Sequence, residues 1–216
     1  MATQTTVNDT HATLTQSRSF ESFASICAIL AGIFGLLYAV SFVILRSTLL
    51  SGLFLMLGGL LTTAVLIAVY NRVRMTDGAF ALWAVLLTTA GAFGSAIHGG
   101  YDLANALNTP TNAITETVAR LPNPIDPRGL LTFGVAGVGW FVLAWLIGRS
   151  KQFPRWLNYW GYLLAILFII LYLGRLILFS PSNPVIFVPV LLSGFLVNPI
   201  WYLWLGFALW RGRSKE

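Results

Sequence analysis

Charged side chains are scarce in this sequence. Asp, Glu, Lys and Arg make up 9% of its 216 residues, while hydrophobic residues make up 57%. Soluble domains usually carry about 25% charged residues, so this chain lacks the polar side chains that would cover a surface in water. Six helices of about 20 residues would use nearly the whole length. The composition therefore predicts an all-α integral membrane protein with no separate soluble catalytic domain.

The residues that most often carry cofactors are also rare. Cys27 is the single cysteine, the histidines are His11 and His98, and the lysines are Lys151 and Lys215. One cysteine excludes an internal disulfide and a multi-cysteine metal site. A zinc hydrolase would need about three ligands deep in the bundle, and a haem or retinal site would need a second membrane His or a membrane Lys. We therefore expect no metal, no cofactor and no enzyme site.

Positive charge exceeds negative charge by six, with 13 Lys and Arg against 7 Asp and Glu. An excess of this sign is also found in nucleic-acid-binding proteins. Here the basic residues lie beside apolar runs, which is typical of membrane proteins that contact anionic lipid. We expect the bilayer, with anionic lipid at its cytoplasmic face, as the partner, and no nucleic acid.

Apolar runs of membrane-spanning length occur six times. We place them approximately at residues 22–45, 49–70, 79–102, 129–147, 156–179 and 185–210. Together they form one domain of residues 21–210, preceded by a polar tail, 1–20, that we expect to be flexible, and followed by a basic tail, 211–216. Asp77 is a candidate N-cap of the third helix. The outer loop 103–128 contains four prolines, and long loops often serve as lids or docking sites.

The distribution of Lys and Arg predicts the orientation. With six spans, both termini share one side of the membrane, and nine of the 13 basic residues fall on that side against four on the other. Basic residues favour the cytoplasmic side. We therefore expect both termini in the cytoplasm and the loop 103–128 outside.

Small side chains repeat every four residues in the third helix, at Gly91, Ser95 and Gly99. This spacing places them on one helix face, where two backbones can approach closely. The first helix, which contains Ala28 and Gly32, is a candidate partner. The same face could instead contact a second copy of the chain or another membrane protein.

A few polar residues interrupt the apolar segments. His98 and Asp102 are one helical turn apart and can interact, Tyr101 is adjacent, and Arg175 lies at similar depth, where it could pair with Asp102. Charges inside a bilayer are costly and usually face protein or water. Together with Asn198, which precedes the helix-kinking Pro199, these residues predict an outward-facing ligand pocket. The alternative is that they lie at the water interface and cap helix ends.

Three functions follow from these residues. We favour a non-enzymatic binding, sensing or membrane-assembly role, because it needs no further chemistry. The alternative is a small-molecule transporter that uses the outer polar cluster. An intramembrane hydrolase built from Ser95, His98 and Asp102 is less favoured, because their spacing on one helix does not place His between a nucleophile and a carboxylate.

The C-terminal third resembles a known family. The stretch 198–206, NPIWYLWLG, followed by Arg211, and the earlier FPRWL at 153–157 with Gly161, are similar to the last helices of the DUF4386-type family of bacterial multi-pass membrane proteins. The resemblance covers roughly the last 65 residues, and HGGYD at 98–102 has no counterpart in it. It implies a multi-helix topology in a bacterial inner membrane, and it implies no activity.

Overall fold

The computed structural model describes residues 3–108, 126–178 and 183–212, with side chains from residue 19 to residue 211 within those ranges. Every regular element in this part of the chain is helical. Six helical spans are long and apolar enough to cross a membrane. The prediction of an all-α protein with six spans is therefore confirmed. Residues 213–216 of the basic tail and residues 109–125 of the outer loop lie outside the described residues.

In the described part of the chain, seven α-helices, some joined by π-helical turns, build the six spans. The α-helices are α1 (Thr3–Ala39), α2 (Thr48–Val73), α3 (Gly78–Leu107), α4 (Ala136–Ser150), α5 (Arg155–Ile177), α6 (Pro184–Leu191) and α7 (Asn198–Gly212). The π-helical turns are Val40–Ile44 after α1, Leu130–Val135 before α4 and Leu192–Val197 between α6 and α7. The spans are Ser19–Ile44, Thr48–Val73, Gly78–Leu107, Pro127–Ser150, Arg155–Ile177 and Pro184–Arg211. Helix α1 thus begins well before its apolar span, and flexibility of the tail 1–20 stays a prediction.

Short polar side chains start several of these helices. The carboxylate of Asp77 accepts a hydrogen bond from the Phe80 backbone N–H at 3.1 Å, which confirms Asp77 as an N-cap. Asn183 accepts from the Val185 N–H at 3.0 Å and is followed by Pro184 in the first turn of α6. These acceptors satisfy N–H groups that have no partner inside the helix.

The six spans form a closed, antiparallel ring. Each span packs on the next along the chain, and the first closes the ring against the sixth. Small residues allow the closest approaches: a Cβ at Gly59 would lie 2.5 Å from the Ala92 carbonyl, and one at Gly206 would lie 3.0 Å from the Ser25 carbonyl. The Ser25 hydroxyl also donates to the Gly206 carbonyl at 2.8 Å. Helix α1 therefore packs on α2 and α7, and our expectation that it partners α3 is wrong.

The small-residue face of α3 is occupied within the chain. A Cβ at Gly99 would lie 2.5 Å from the Gly52 carbonyl of α2, and one at Gly91 would lie 2.9 Å from the Cα of Ala136 in α4. Ser95, between them, faces the centre of the ring. This face is buried inside the chain, so it is not a free surface for a second copy. Oligomerisation itself stays a prediction.

The two ends of the ring differ. We call the end that holds residues 19–21, 74–77 and 151–154 the terminal end, and the end that holds 45–47, 126 and 183 the loop end. Large apolar side chains fill the terminal half, among them Leu66, Leu143, Leu205 and Leu209, all at most 1% exposed. The loop half is less completely filled, and the polar residues of interest lie there.

Candidate functional site

A cavity of about 140 Å³ lies inside the loop half of the ring, and all six spans contribute to its wall. Most of the wall is apolar and aromatic. Its polar side chains include Tyr38, Thr62, Thr132, Arg175, Ser193, Asn198 and Tyr202. A largely apolar cavity with a few polar groups is the usual form of a small-molecule site.

All three π-helical turns of the described chain contribute to this wall. Val43 comes from the first, Thr132 and Phe133 from the second, and Ser193 and Gly194 from the third. π-helical turns are rare and occur frequently at functional sites. Their convergence on one cavity marks it as the candidate site.

Aromatic side chains close the cavity toward the terminal end. The rings of Trp140 and Trp201 meet edge to face with centroids 4.6 Å apart, and Tyr202 packs against both. The hydroxyls of Tyr202 and Thr62 form a hydrogen bond of 3.0 Å across the ring. The Trp201 indole N–H donates to the Leu157 carbonyl at 2.9 Å. These contacts and hydrogen bonds fix the rings of Trp140, Trp201 and Tyr202, which we call the aromatic floor.

Arg175 is the cationic side chain in the cavity wall. Its guanidinium carbon lies 5.0 Å from the centre of the Phe133 ring, within cation–π range. Gly129 has a φ of 78°, and a Cβ there would lie 3.2 Å from Nη1 of Arg175. Among the described residues no carboxylate lies within 4.0 Å of the guanidinium. The predicted pair of Arg175 with Asp102 is therefore absent.

Asn198 lines the same cavity from the first position of α7. Its amide nitrogen rests against Gly35 of α1, where a Cβ would overlap it. Its backbone N–H donates to the Ser193 carbonyl, five residues earlier, which is the π-helical pattern. The irregularity predicted from Pro199 is thus a π-helical turn just before the proline, and it turns Ser193 toward the cavity.

His98 lies between two carboxylates at the loop end. Its Nε2 is 3.5 Å from Oδ2 of Asp102 and its Nδ1 is 3.7 Å from Oδ2 of Asp126. Asp126 is 1% exposed, and it accepts from the backbone N–H groups of Leu131 at 2.7 Å and Thr132 at 3.1 Å. Asp126 therefore caps the start of the fourth span. We call these three side chains the loop-end cluster.

The environment of Asp126 keeps its carboxylate ionised. Burial alone would raise its pKa, but His98 and the backbone N–H donors of Leu131 and Thr132 outweigh that effect and lower the pKa to about 2. Each of these donors stabilises the ionised form. Asp126 was not among the predicted site residues because it falls in the loop 103–128. The Asp126–Pro127 pair is an N-cap signal that could have revealed it.

Four of the five residues predicted as one pocket separate into two places. Arg175 and Asn198 line the cavity, while His98 and Asp102 belong to the loop-end cluster. Tyr101 is half-buried and lines neither. Ser95 lines the cavity, while His98 lies three residues further toward the loop end, about 4.5 Å along the helix axis, where it meets Asp102 and Asp126.

Neither a hydrolase nor a metal site is assembled from these groups. Ser95 Oγ donates to the Gly91 carbonyl at 3.1 Å, and both imidazole nitrogens of His98 face carboxylates. His98 is therefore not placed to take a proton from Ser95. In the described part of the chain, no group of three or more His, Cys, Asp or Glu side chains has the arrangement of a metal site.

No family model, curated protein or solved structure matches this chain. The resemblance of 198–206 to the bacterial family therefore stays a prediction.

Proposed function

We propose that this multi-pass membrane protein binds a small, largely apolar molecule in its central cavity, without transforming it. The observation that carries the proposal is the cavity itself. Protein interiors are close-packed, so a space of about 140 Å³ bordered by all six spans is large enough to mark a binding site. A cavity of about 150 Å³ lined by Leu, Ile and Phe binds benzene. An occupant with about six carbon atoms would therefore fit.

Binding is favoured over transport because the cavity ends at the aromatic floor. A transported molecule would have to pass Trp140 and Tyr202, which are 3% and 6% exposed and held by ring contacts and the Thr62 hydrogen bond. The transporter alternative therefore requires a second arrangement of these rings. The proposed role needs only the arrangement described here.

Photoaffinity labelling tests the proposal. A hexanol carrying a diazirine is added to the purified protein in lipid nanodiscs, and labelled peptides are mapped by mass spectrometry. We expect saturable labelling of peptides that contain Phe54, Phe133 or Phe168, with competition by plain hexanol. Labelling confined to lipid-facing side chains such as Leu86, at 60% exposure, would contradict the proposal.

A cavity-filling variant provides the control. Gly58 lines the cavity, and a Cβ there would meet a single neighbour at 3.9 Å, Phe34. Gly58→Leu therefore adds a side chain to the cavity wall at a position where a Cβ has room, and we expect it to abolish saturable labelling. Gly78→Leu is the matched control, because a Cβ at Gly78 has no neighbour within 4 Å. Equal labelling of both variants would remove the cavity as the binding site.

The orientation and the membrane also belong to this proposal. We propose both termini in the cytoplasm, with anionic lipid at the terminal end, on the basis of the nine-to-four distribution of basic residues. A bacterial inner membrane is proposed from the resemblance of the C-terminal third alone. An impermeant maleimide applied to intact cells should label Ser47→Cys and spare Met75→Cys, while native Cys27, at 1% exposure, stays unreactive in both. The reverse pattern would invert the orientation.

A further inference from the structure

We infer that the molecule in the cavity is a small carboxylate with an apolar body, and that its carboxylate binds Arg175. This inference rests on the proposed function and specifies its ligand class. It starts from the charge of the cavity wall. Arg175 lies within the span Arg155–Ile177, and its guanidinium borders the cavity.

Arg175 has no anionic partner among the described residues. No carboxylate there lies within 4.0 Å of its guanidinium, whose carbon lies 5.0 Å from the centre of the Phe133 ring. A charged group at membrane depth is costly and usually pairs with another group or with water. An anion delivered into the cavity would supply the missing partner.

The nearest acidic side chains are already engaged. Asp102 faces His98 at 3.5 Å, and Asp126 faces His98 at 3.7 Å while also accepting two backbone N–H groups. Neither lines the cavity. Both carboxylates of the loop-end cluster thus contact His98, and the described residues of the cavity wall include a cation and no carboxylate.

The shape and polarity of the wall indicate the rest of the ligand. Phe54, Phe133 and Phe168 provide an apolar surface beside Arg175. The amide of Asn198 also reaches the cavity and makes no side-chain hydrogen bond to another described residue. A planar guanidinium suits a carboxylate because it can donate two parallel hydrogen bonds. An aliphatic or aromatic acid with about six carbons meets both requirements within about 140 Å³.

Competition with the diazirine hexanol separates the contribution of the ligand's carboxylate to binding from that of its apolar chain. At about pH 8 hexanoate is ionised, and hexanol has the same chain without the charge. We expect hexanoate to displace the probe at a concentration about tenfold or more below that of hexanol, the ratio given by one charge-assisted hydrogen bond. Acetate, which has the charge but almost no body, should displace it far less well than hexanoate.

Variants at position 175 test whether Arg175 causes the preference for hexanoate over hexanol. Arg175→Gln should abolish the preference for hexanoate over hexanol, and Arg175→Lys should retain part of it. The readout is the ratio of the hexanoate and hexanol concentrations needed for displacement within each variant, because a merely structural role of Arg175 would weaken both competitors together.

The outcomes distinguish the carboxylate inference from the proposed function of the cavity. Equal competition by hexanoate and hexanol in the wild-type protein would overturn the inference and leave the cavity as a binding site. Equal competition by acetate and hexanoate would also overturn it, because the site would then be a general anion site. Absence of any saturable labelling would overturn the proposed function itself.

Discussion

Arg72 connects three parts of the bundle at the terminal end, and its removal gives a sharp test of the fold. Its guanidinium donates from Nε and Nη2 to the Glu21 carboxylate, with both distances 3.1 Å. It also donates to the carbonyls of Ala208 at 3.2 Å and Leu209 at 3.0 Å, at the end of α7. Its guanidinium carbon lies 5.6 Å from the Phe153 ring. Arg72 thus joins α1, α2 and α7.

The expected loss of stability follows from the groups that Arg72→Ala leaves without their hydrogen-bond donor. Breaking a buried ion pair by removing one partner costs about 3–5 kcal/mol. The Arg72 side chain is 8% exposed, but that of Glu21 is 22% exposed and can regain some water. The carbonyls of Ala208 and Leu209 lose charge-assisted donors near a helix C-terminus, where positive charge is favourable. We therefore expect Arg72→Ala to lower the free energy of unfolding by about 3 kcal/mol.

The assay is reversible unfolding in mixed detergent micelles, followed by tryptophan fluorescence. Arg74→Ala is the matched control, because Arg74 is exposed and lies two residues away in the same helical turn; we expect a change within about 0.5 kcal/mol. Glu21→Gln should cost less than Arg72→Ala, because the carbonyl bonds of Arg72 remain. If Arg72→Ala and Arg74→Ala were equally stable, the argument about this connection would be refuted.

Three further predictions concern other contacts. Gly99→Val should destabilise the bundle by about 1–3 kcal/mol, because a Cβ there would lie 2.5 Å from the Gly52 carbonyl. Gly100→Val should lower the free energy of unfolding by less in the same assay, because a Cβ at Gly100 would meet only Met56 Sδ, at 3.6 Å. Asp126→Asn should lower the thermal midpoint of unfolding. The pKa of Asp126 is about 2 in the folded protein, below its unfolded value of about 3.9. The difference in midpoint between wild type and variant should therefore be complete above about pH 4 and shrink as the pH falls toward 2. Tyr202→Phe should cost about 1 kcal/mol by removing the 3.0 Å bond to Thr62, and an unchanged unfolding free energy would contradict that bond.

The main features of the fold could be predicted from the sequence because hydrophobicity acts along the chain. Long apolar runs with few charges specify spans, and Asp77 before a helical segment specifies a cap. The pairing of spans was harder to predict. Four-residue spacing indicates that Gly91 and Gly99 can approach another backbone, but it does not say which one, and the structure gives them different partners: α4 for Gly91 and α2 for Gly99.

The site was predicted in part. Polar residues in apolar segments are costly, so Arg175 and Asn198 stood out, and both line the cavity. Their grouping with His98 and Asp102 failed because spacing along a helix does not give the helix rotation in the bundle. The cavity walls formed by small and aromatic residues carry no sequence signal of their own. The π-helical turns depend on tertiary packing, so Thr132 and Ser193 were not identified as wall residues.

A heavy-atom ligand would locate the binding site within the bundle. Crystals of the protein grown with 6-bromohexanoate would reveal the bromine by its anomalous scattering. We expect one peak inside the ring, beside Phe133 and Phe168 on the loop side of Trp140, with the carboxylate density on Arg175. A bromine found solely on the lipid-facing surface, with the cavity unfilled, would contradict it.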